Sequence, residues 1–274
     1  MAAKSGPEEG LPRPARRGYD LDLFRGTAPY YARYRAPYAA EAIDFAAARL
    51  GLTGASRLLD LGCGPGTLAL PFASRVAEVL AWDPDPDMLA DGRALAKTAG
   101  LENIAWRQAG SEDLGQLDGL LAGAVMGQSF HWMDRDQVLR DLFGLIEDGG
   151  GIALINPGQR RPQEVWQGAA SEIVRAYLGD RPPHPQRNPE GRHEPALLRS
   201  DFEITDDVEF ASTITRDFAS VLGSIYSTSD TSPAHFGDRA AAFEADLKAA
   251  LLELNPTGVF TSSIETGVLV AMKR

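Results

Sequence analysis

A short apolar run that ends in a glycine-rich turn constrains the fold of this chain more than any other feature. Residues 57–61 read Arg-Leu-Leu-Asp-Leu, and glycines follow at positions 62, 64 and 66. An apolar run bounded by glycines predicts a buried parallel strand that ends in a tight turn. Glycines let the backbone pass close to a ligand, and free N–H groups of the following helix point toward it. The segment therefore predicts a nucleotide-like cofactor at the end of a strand.

Beyond this turn, helix-like and strand-like segments alternate. Asp85 and Pro86 supply an N-cap and a first-turn proline for one of the helices. Such alternation predicts an α/β fold with a parallel, doubly wound sheet. In chain order the pattern predicts a helix over 67–76, a strand over 78–82, a helix over 85–98, strands over 104–108 and 122–126, a helix over 135–147 and a strand over 151–156.

The flanking regions differ from this core in composition. Charged residues mixed with prolines, without an apolar stretch, predict a disordered lead-in over 1–18. The rest divides into a core with an N-terminal helical cover over 19–157, an inserted helix and proline-rich loop over 158–201, and a closing region over 202–274. Within these regions we predict two helices between 19 and 52, a helix over 164–178, a loop over 181–195, strands over 202–213 and 259–272, and helices over 216–227 and 238–255.

Two acidic residues narrow the choice of cofactor. Asp60 lies beside the glycine turn, where a carboxylate would repel a pyrophosphate but would suit the ammonium of an aminoacyl group. The G-x-G-x-G spacing also differs from the G-x-G-x-x-G of dinucleotide sites. Asp83 follows the second predicted strand, where a carboxylate can accept both hydroxyls of a ribose; its alternative role is a turn and helix cap. Together the two acids favour S-adenosylmethionine.

These features carry a family resemblance. Residues 59–67, Leu-Asp-Leu-Gly-Cys-Gly-Pro-Gly-Thr, resemble motif I of the class I S-adenosylmethionine-dependent methyltransferases. Asp83 resembles the ribose-binding acid of that family, and residues 110–114 are similar to the segment that it places around the adenine. The resemblance implies a Rossmann-like, seven-stranded, mostly parallel sheet with an inserted helical cap.

Two further segments resemble one branch of the family, which contains the trans-aconitate and many secondary-metabolite methyltransferases. Residues 127–134 are similar to its loop after the fourth strand, and residues 31–38 to its N-terminal cofactor cover, with Ala36 in place of the usual first proline. We expect Asp60, Asp83, Ser111 and Gln128 to converge on one crevice. The full set predicted to bind cofactor is Tyr31, Arg35, Asp60, Gly62, Cys63, Gly64, Gly66, Asp83, Pro84, Met88, Ser111, Glu112, Asp113, Gln128, Ser129 and Phe130.

The residues predicted for chemistry are fewer. His131 is the candidate general base because it lies in the loop where the methyl group should emerge, and packing between its aromatic neighbours is the alternative role. Cys63, the single cysteine, is interpreted as a small space-filling residue and not as a nucleophile. No metal site is predicted, since the other histidines lack ligand spacing. The candidates for acceptor contact, each with core packing as its alternative, are Tyr34, Trp132, Trp166 and Tyr226.

Net charge and cysteine content restrict the classes of function that we expect for this chain. A net charge of −11 over 274 residues argues against nucleic-acid binding, and no apolar run is long enough to span a bilayer. A single cysteine fits the cytoplasm, and we expect a monomer or homodimer. The leading hypothesis is transfer of a methyl group to oxygen or nitrogen of a small-molecule acceptor in a biosynthetic pathway. Open alternatives are a non-methylating cyclisation or rearrangement, a non-catalytic binder of the same cofactor, and a nucleotide-dependent oxidoreductase.

Overall fold

The computed structural model describes residues 27–157, 164–180 and 192–274. The predictions for residues 1–26, 158–163 and 181–191, which include the lead-in over 1–18, lie outside the described residues. Seven strands form one sheet in the order β3-β2-β1-β4-β5-β7-β6. Strands β1 to β5 are parallel, and β7 runs antiparallel to β5 and β6. The strands are β1 (Arg57–Leu61), β2 (Glu78–Asp83), β3 (Ile104–Gln108), β4 (Leu121–Gly127), β5 (Ile146–Pro157), β6 (Glu203–Arg216) and β7 (Phe260–Met272).

Helices flank this sheet, and the predicted Rossmann-like α/β class with a mostly parallel, seven-stranded sheet is confirmed. The predicted bounds of β1 and β3 coincide with the observed ones. The helices are α1 (Ala28–Tyr34), α2 (Ala40–Arg49), α3 (Ala69–Ala73), α4 (Pro86–Thr98), α5 (Arg135–Leu145), α6 (Val165–Leu178), α7 (Glu194–Leu198), α8 (Phe218–Tyr226), α9 (Pro233–Phe236) and α10 (Ala240–Leu254).

The core lies on both faces of the sheet because successive side chains of a strand point to opposite faces. In β1, Leu58 belongs to a buried cluster with Phe72 of α3, whereas Leu59 belongs to a second cluster with Leu142 of α5. A third cluster, around Phe243, unites α6, α8, α9 and α10. The helices of the third cluster follow β5 in the chain, and the cluster also includes Phe260 of β7.

Two helices of the core are shorter than predicted. The helix predicted over 67–76 is confined to Ala69–Ala73, and the side-chain amide of Asn103 donates to the carbonyls of Ala73 (2.8 Å) and Val76 (3.0 Å) where the helix ends. The helix predicted over 135–147 ends at Leu145, because Ile146 pairs with Leu121 and begins β5 five residues before the predicted start of that strand. Strand pairing therefore overrides helical periodicity at this point.

The closing region also departs from prediction. β6 extends to Arg216, which pairs with Phe260 of β7, so Arg216 belongs to a strand and not to the predicted helix over 216–227. α8 begins only after Asp217, whose carboxylate accepts the backbone N–H of Ser220 at 2.8 Å as an N-cap. The short helices α7 and α9 were not predicted, since each is shorter than two turns and carries little periodicity.

Candidate functional site

A cavity of about 380 Å³ lies at the carboxyl ends of β1 to β4. This edge of a doubly wound sheet is where ligands bind. Strand ends, the turns after β1 and β3, and the first turns of α4 and α5 contribute to its wall. The lining residues are Tyr31, Leu61, Gly62, Gly64, Asp83, Pro84, Met88, Ala109, Gly110, Ser111, Glu112, Gly127, Gln128, Ser129, Trp132, Met133, Asp134, Gln137 and Val138.

Glycines make room for a ligand in the turn after β1. Gly62 and Gly64 have φ values of 71° and 53°, in the left-handed region that favours glycine. A Cβ on Gly62 would lie 2.5 Å from the Cβ of Ser129, so packing excludes a side chain there. A Cβ on Gly64 would meet no atom of the described residues within 4 Å, and Gly64 lines the cavity. A ligand can therefore approach the backbone closely at Gly64.

Asp83 presents a fixed carboxylate to the cavity. Its Oδ2 accepts the N–H of Gly64 at 2.8 Å, and its Oδ1 accepts the N–H of Asp85 at 2.9 Å. Burial raises the pKa of Asp83 to about 6, with a smaller contribution from the neighbouring Asp85 carboxylate, while the two N–H groups oppose the rise. Each oxygen keeps a second lone pair, so the carboxylate can accept two hydroxyl groups from a ligand. This geometry suits the two hydroxyls of a ribose.

Asp60 is buried beside the turn and does not line the cavity. Neither of its carboxylate oxygens has a hydrogen-bond partner of ordinary geometry in the described part of the chain. Desolvation raises the pKa of Asp60 to about 8, the Asp83 charge adds to the rise, and the backbone N–H of Ala69 opposes it. Of the four side chains expected to converge on the crevice, those of Asp83, Ser111 and Gln128 do so. The side chain of Asp60 instead shares the face of β1 that packs against α2 and α3, since it lies two residues after Leu58.

Gln128 connects the N-terminal cover to the cavity. It has a φ of 55°, the one positive value at a non-glycine position within the described ranges. Its Oε1 accepts Nη2 of Arg35 at 3.4 Å, and its Nε2 donates to the hydroxyl of Tyr38 at 3.3 Å. The Arg35 guanidinium also lies 4.8 Å from the ring centroid of Tyr31, which lines the cavity. Left-handed backbone at a non-glycine residue costs roughly 1–2 kcal/mol, and such strain often marks a functional site.

Several other residues predicted to bind cofactor reach this cavity, and two residues of the glycine turn do not. Gly66 instead faces Trp106, whose indole would lie 2.6 Å from an added Cβ. The thiol of Cys63 is buried, and desolvation raises its pKa, which agrees with a space-filling role. The predicted residues on the wall are Tyr31, Gly62, Gly64, Asp83, Pro84, Met88, Ser111, Glu112, Gln128 and Ser129.

Asp113 and Phe130 belong to the frame of the cavity and not to its wall. The Asp113 carboxylate accepts the N–H of Gly110 and the side-chain amide of Gln116, both at 2.9 Å, which fixes the turn after β3. Phe130 is buried, and the guanidinium carbon of Arg135 lies 5.6 Å from its ring centroid. Both residues stabilise segments that carry lining residues.

The residues predicted for catalysis and acceptor contact are dispersed. Trp132 lines the cavity, and the ring of His131 packs 4.9 Å from the ring of Trp132 without lining it. Tyr226 is 2% exposed and donates its hydroxyl to Glu244 at 3.0 Å, so it is a core residue of the cluster around Phe243. Tyr34 packs against α8. The apolar spacing of these helices does not distinguish a core tyrosine from one that faces a pocket.

A smaller cavity, of about 190 Å³, shares Gln128 with the cavity of about 380 Å³, which we call the larger of the two. Arg35 and Trp166, predicted for cofactor and acceptor, both line it. We call it the polar cavity because its wall also carries Arg216 and Glu265. The lining residues are Arg35, Ala36, Pro37, Tyr38, Gln128, Pro157, Trp166, Gln167, Arg216, Ser224, Ile264, Glu265 and Thr266.

Two groups of these lining residues were not predicted from the sequence. Met133, Asp134, Gln137 and Val138 line the larger cavity from the start of α5, directly after the loop that was identified. The proximity of that loop was a usable signal. Glu265 had none, because a single acid on a late strand has no local pattern that associates it with residues of the N-terminal cover. No group of three or more potential metal ligands, and no helix long and apolar enough to cross a membrane, occurs in the parts of the chain that the structure describes.

Residues 58–150 match a family model described as a methyltransferase domain, and this range holds the glycine turn, Asp83 and Gln128. An uncharacterized methyltransferase of Mycobacterium tuberculosis is 33% identical over 138 residues, which cover 50% of this chain and 53% of that protein. The chain thus matches about half the length of this relative.

Solved structures agree on the fold. The YcgJ protein of Bacillus subtilis aligns with a TM-score of 0.53 and 16% identity, covering 86% of this chain and all of that one. The (4+2) cyclase SpnF aligns with a TM-score of 0.52 and 22% identity, covering 85% of this chain and 81% of that one. At these identities the likeness concerns the fold alone.

Proposed function

We propose that this chain is a class I S-adenosylmethionine-dependent methyltransferase, which transfers a methyl group from S-adenosylmethionine to an oxygen or nitrogen atom of a small-molecule acceptor. The domain match over residues 58–150 and the order of the strands support this proposal. We place this reaction in a biosynthetic pathway. The observation that carries the proposal is the fixed Asp83 carboxylate on the wall of the cavity, beside the open space over Gly64.

The residues of the larger cavity fit S-adenosylmethionine. Asp83 has one free lone pair on each oxygen for the ribose hydroxyls, and charge-assisted hydrogen bonds of this kind are strong. Ser111 and Glu112, on the turn after β3, would face the adenine, and Met88 adds apolar surface. Gly64 leaves room for the ligand to lie against the backbone.

Asp60 has a less direct place in this proposal. Its carboxylate is buried beside the turn and lacks a hydrogen-bond partner of ordinary geometry among the described residues, which suits a position near the ammonium of the cofactor's aminoacyl group. Because Asp60 does not line the cavity, we propose that it acts on that ammonium through its charge and not by direct contact.

When bound, S-adenosylmethionine supplies a methyl group already activated by a sulfonium. The residues of this chain then have to position the acceptor, exclude water and accept a proton. We assign the first task to the loop after β4, where Gln128 and Trp132 line the cavity. His131, next to Trp132, is the proposed base for the acceptor proton, because an imidazole accepts protons near neutral pH. Tyr31, held by Arg35, covers the site from the N-terminal side.

The segment over 158–201 is proposed as a cap that gives acceptor specificity. A net charge of −11 supports a small-molecule partner over a nucleic acid, since nucleic-acid binding relies on clustered Lys and Arg. We further propose a cytoplasmic monomer or homodimer that does not associate with a membrane.

The test is a reaction of purified protein with S-adenosylmethionine and a library of small acceptors, followed by mass spectrometry. We expect S-adenosylhomocysteine to accumulate together with an acceptor that has gained the mass of one methylene unit. Asp83→Ala, which removes the proposed ribose contact, is the control for enzyme-dependent turnover. An acceptor that rearranges without a change in mass would instead establish the cyclisation alternative. Binding of S-adenosylmethionine without turnover of any acceptor would establish a non-catalytic binder.

A further inference from the structure

The indole of Trp106, on β3, lies between the glycine turn over 62–66 and helix α4. A Cβ on Gly66 would lie 2.6 Å from Cη2 of Trp106, and a Cβ on Gly92 would lie 2.5 Å from Cη2 and Cζ3 of the same ring. Both distances are shorter than a real Cβ contact, so neither position accepts a side chain while the ring stays in place. The ring therefore fills the space between glycines of two different elements.

This contact gives a physical reason for the glycine at position 92. Gly92 lies in the interior of α4, where glycine destabilises a helix relative to alanine because its backbone loses more freedom on folding. An added Cβ would also lie 3.2 Å from the carbonyl carbon of Pro65. The glycine thus lets α4 approach both the indole and the turn.

The two halves of the glycine turn are held in different ways. In the first half, the N–H of Gly64 donates to the carboxylate of Asp83, which ends β2, at 2.8 Å. In the second half, the N–H of Gly66 donates to the carbonyl of Cys63 at 2.9 Å, within the turn itself. Packing of Gly66 on the indole therefore connects the second half of the turn to β3.

The two elements that the ring separates each carry part of the wall of the larger cavity. Gly64 belongs to the turn, and Met88 lies one helical turn before Gly92 on the same face of α4; both line that cavity. α4 is also attached to β3 here, since Nη2 of Arg93 donates to the carbonyl of Trp106 at 3.3 Å. The indole is thus a rigid spacer between two parts of the wall.

We propose that Trp106 is a positioning residue of the cofactor site, whose ring sets the distance between the glycine turn and α4 and so the fit of S-adenosylmethionine between Gly64 and Met88. Trp106 does not line the larger cavity and acts through these two neighbours. The connection to S-adenosylmethionine rests on the proposed function, whereas the positioning of the turn is a property of the chain itself.

The first test compares the affinity of wild type and Trp106→Leu for S-adenosylhomocysteine by calorimetry on the full chain. Protein interiors are close-packed, so the smaller side chain leaves a void into which the turn and α4 can shift. We expect the dissociation constant to rise by about tenfold or more, since small displacements of binding groups have large effects. Trp106→Phe, which keeps a smaller ring, should show a smaller rise and replaces Trp106→Leu if that variant does not fold.

Ile104→Ala is the matched control for loss of packing. Ile104 precedes Trp106 by two residues on the same face of β3, farther from the carboxyl end of the strand, and belongs to the buried cluster against which Trp106 packs. This substitution should lower the melting temperature and leave the affinity for S-adenosylhomocysteine unchanged.

Gly92→Ala tests the same contact from α4. In the wild-type background the added Cβ should push the ring toward Gly66 and raise the dissociation constant by about tenfold. In the Trp106→Leu background the space is open, so the same substitution should leave the affinity unchanged and raise the melting temperature, because alanine favours a helix. Gly144→Ala, on α5 with no described atom within 4 Å of an added Cβ, should not alter the affinity.

Hydrogen–deuterium exchange of the ligand-free chain gives a readout that does not depend on the cofactor. Amides exchange faster where the local structure opens more readily. We expect faster exchange over residues 62–66 in Trp106→Leu than in wild type, and no such change in Ile104→Ala.

The outcomes separate this inference from the proposed function. Unchanged affinity in folded Trp106→Leu, equal losses of affinity in Trp106→Leu and Ile104→Ala, or losses from Gly92→Ala and Trp106→Leu that multiply in the double variant would each overturn the inference. A wild-type chain that fails to bind S-adenosylhomocysteine would refute the proposed function. Exchange would then decide the role of Trp106 by itself, and equal exchange over residues 62–66 in wild type and Trp106→Leu would overturn that role.

Discussion

The buried carboxylate of Asp60 predicts an unusual dependence of stability on pH. Its pKa is raised from 3.8 to about 8 in the folded chain, because burial disfavours the charged form and no partner of ordinary geometry is present in the described part of the structure. The native state therefore holds a proton more tightly than the unfolded state does. Stability conferred by this residue is complete below about pH 4, declines as the pH rises, and is fully lost above about pH 8.

The magnitude follows from linkage. Between the two pKa values the unfolded state has released its proton and the native state has not, so the free energy of unfolding falls by about 1.4 kcal/mol per pH unit. Between about pH 6 and pH 8 the wild-type chain should lose about 2 kcal/mol through Asp60 alone. Asp60→Asn fills the same space without ionising, so this loss should be absent in the variant. The variant should then be the more stable protein at the higher pH.

The assay is urea denaturation of the ligand-free chain, followed by circular dichroism at several pH values across this range. Asp238→Asn, at an exposed position, makes the same change of charge and should retain the wild-type dependence on pH. Parallel pH profiles for wild type and Asp60→Asn would refute the reasoning, since they would mean that Asp60 is ionised or solvated in the native chain. The affinity of the same variant for S-adenosylhomocysteine tests its proposed electrostatic role: a value unchanged from wild type would reject that role.

Three further substitutions probe the cofactor site and the chemistry. Asp83→Ala should weaken S-adenosylhomocysteine binding by at least about a hundredfold in calorimetry, because two hydrogen bonds to a charged group are lost, and an unchanged dissociation constant would reject the ribose assignment. Gly64→Ala should lower the same affinity by about tenfold or more, because its Cβ occupies space that the ligand needs. Gly100→Ala is the control, since Gly100 has a similar positive φ and no described atom within 4 Å of an added Cβ; it should cost roughly 1 kcal/mol of stability and leave the affinity unchanged. Equal affinity losses in both variants would assign the effect to backbone strain. His131→Ala should reduce turnover by about 10²- to 10⁴-fold with cofactor affinity retained, and turnover near that of wild type would make His131 a packing residue.

Local sequence patterns predicted the central part of the fold because the relevant interactions are local. An apolar run followed by glycines gives β1 its bounds, and Asp85 forms the predicted N-cap of α4 by accepting the N–H groups of Asp87 (2.8 Å) and Met88 (3.3 Å). Asp83 ends β2 and therefore lies at the cavity, since the carboxyl ends of parallel strands share one edge of the sheet. The match of residues 58–150 to a methyltransferase domain supports the family resemblance over that range, and the branch within the family stays a prediction.

Long-range interactions account for what could not be predicted. The end of α5 is decided by pairing of Ile146 with Leu121, and the length of β6 by pairing of Arg216 with Phe260, partners that lie far apart in the sequence. Glu265 reaches the polar cavity through the placement of β7, and Tyr226 is buried by helices that follow it in the chain. Neither position differs locally from an ordinary strand or helix residue.

Isothermal titration calorimetry of the wild-type chain with S-adenosylhomocysteine and, separately, with NAD tests the central claim most directly. A cavity built from the open turn at Gly64 and the fixed carboxylate of Asp83 should give one-site binding of S-adenosylhomocysteine and no response to NAD. Tight binding of NAD with no response to S-adenosylhomocysteine would contradict it and assign the cavity to a dinucleotide.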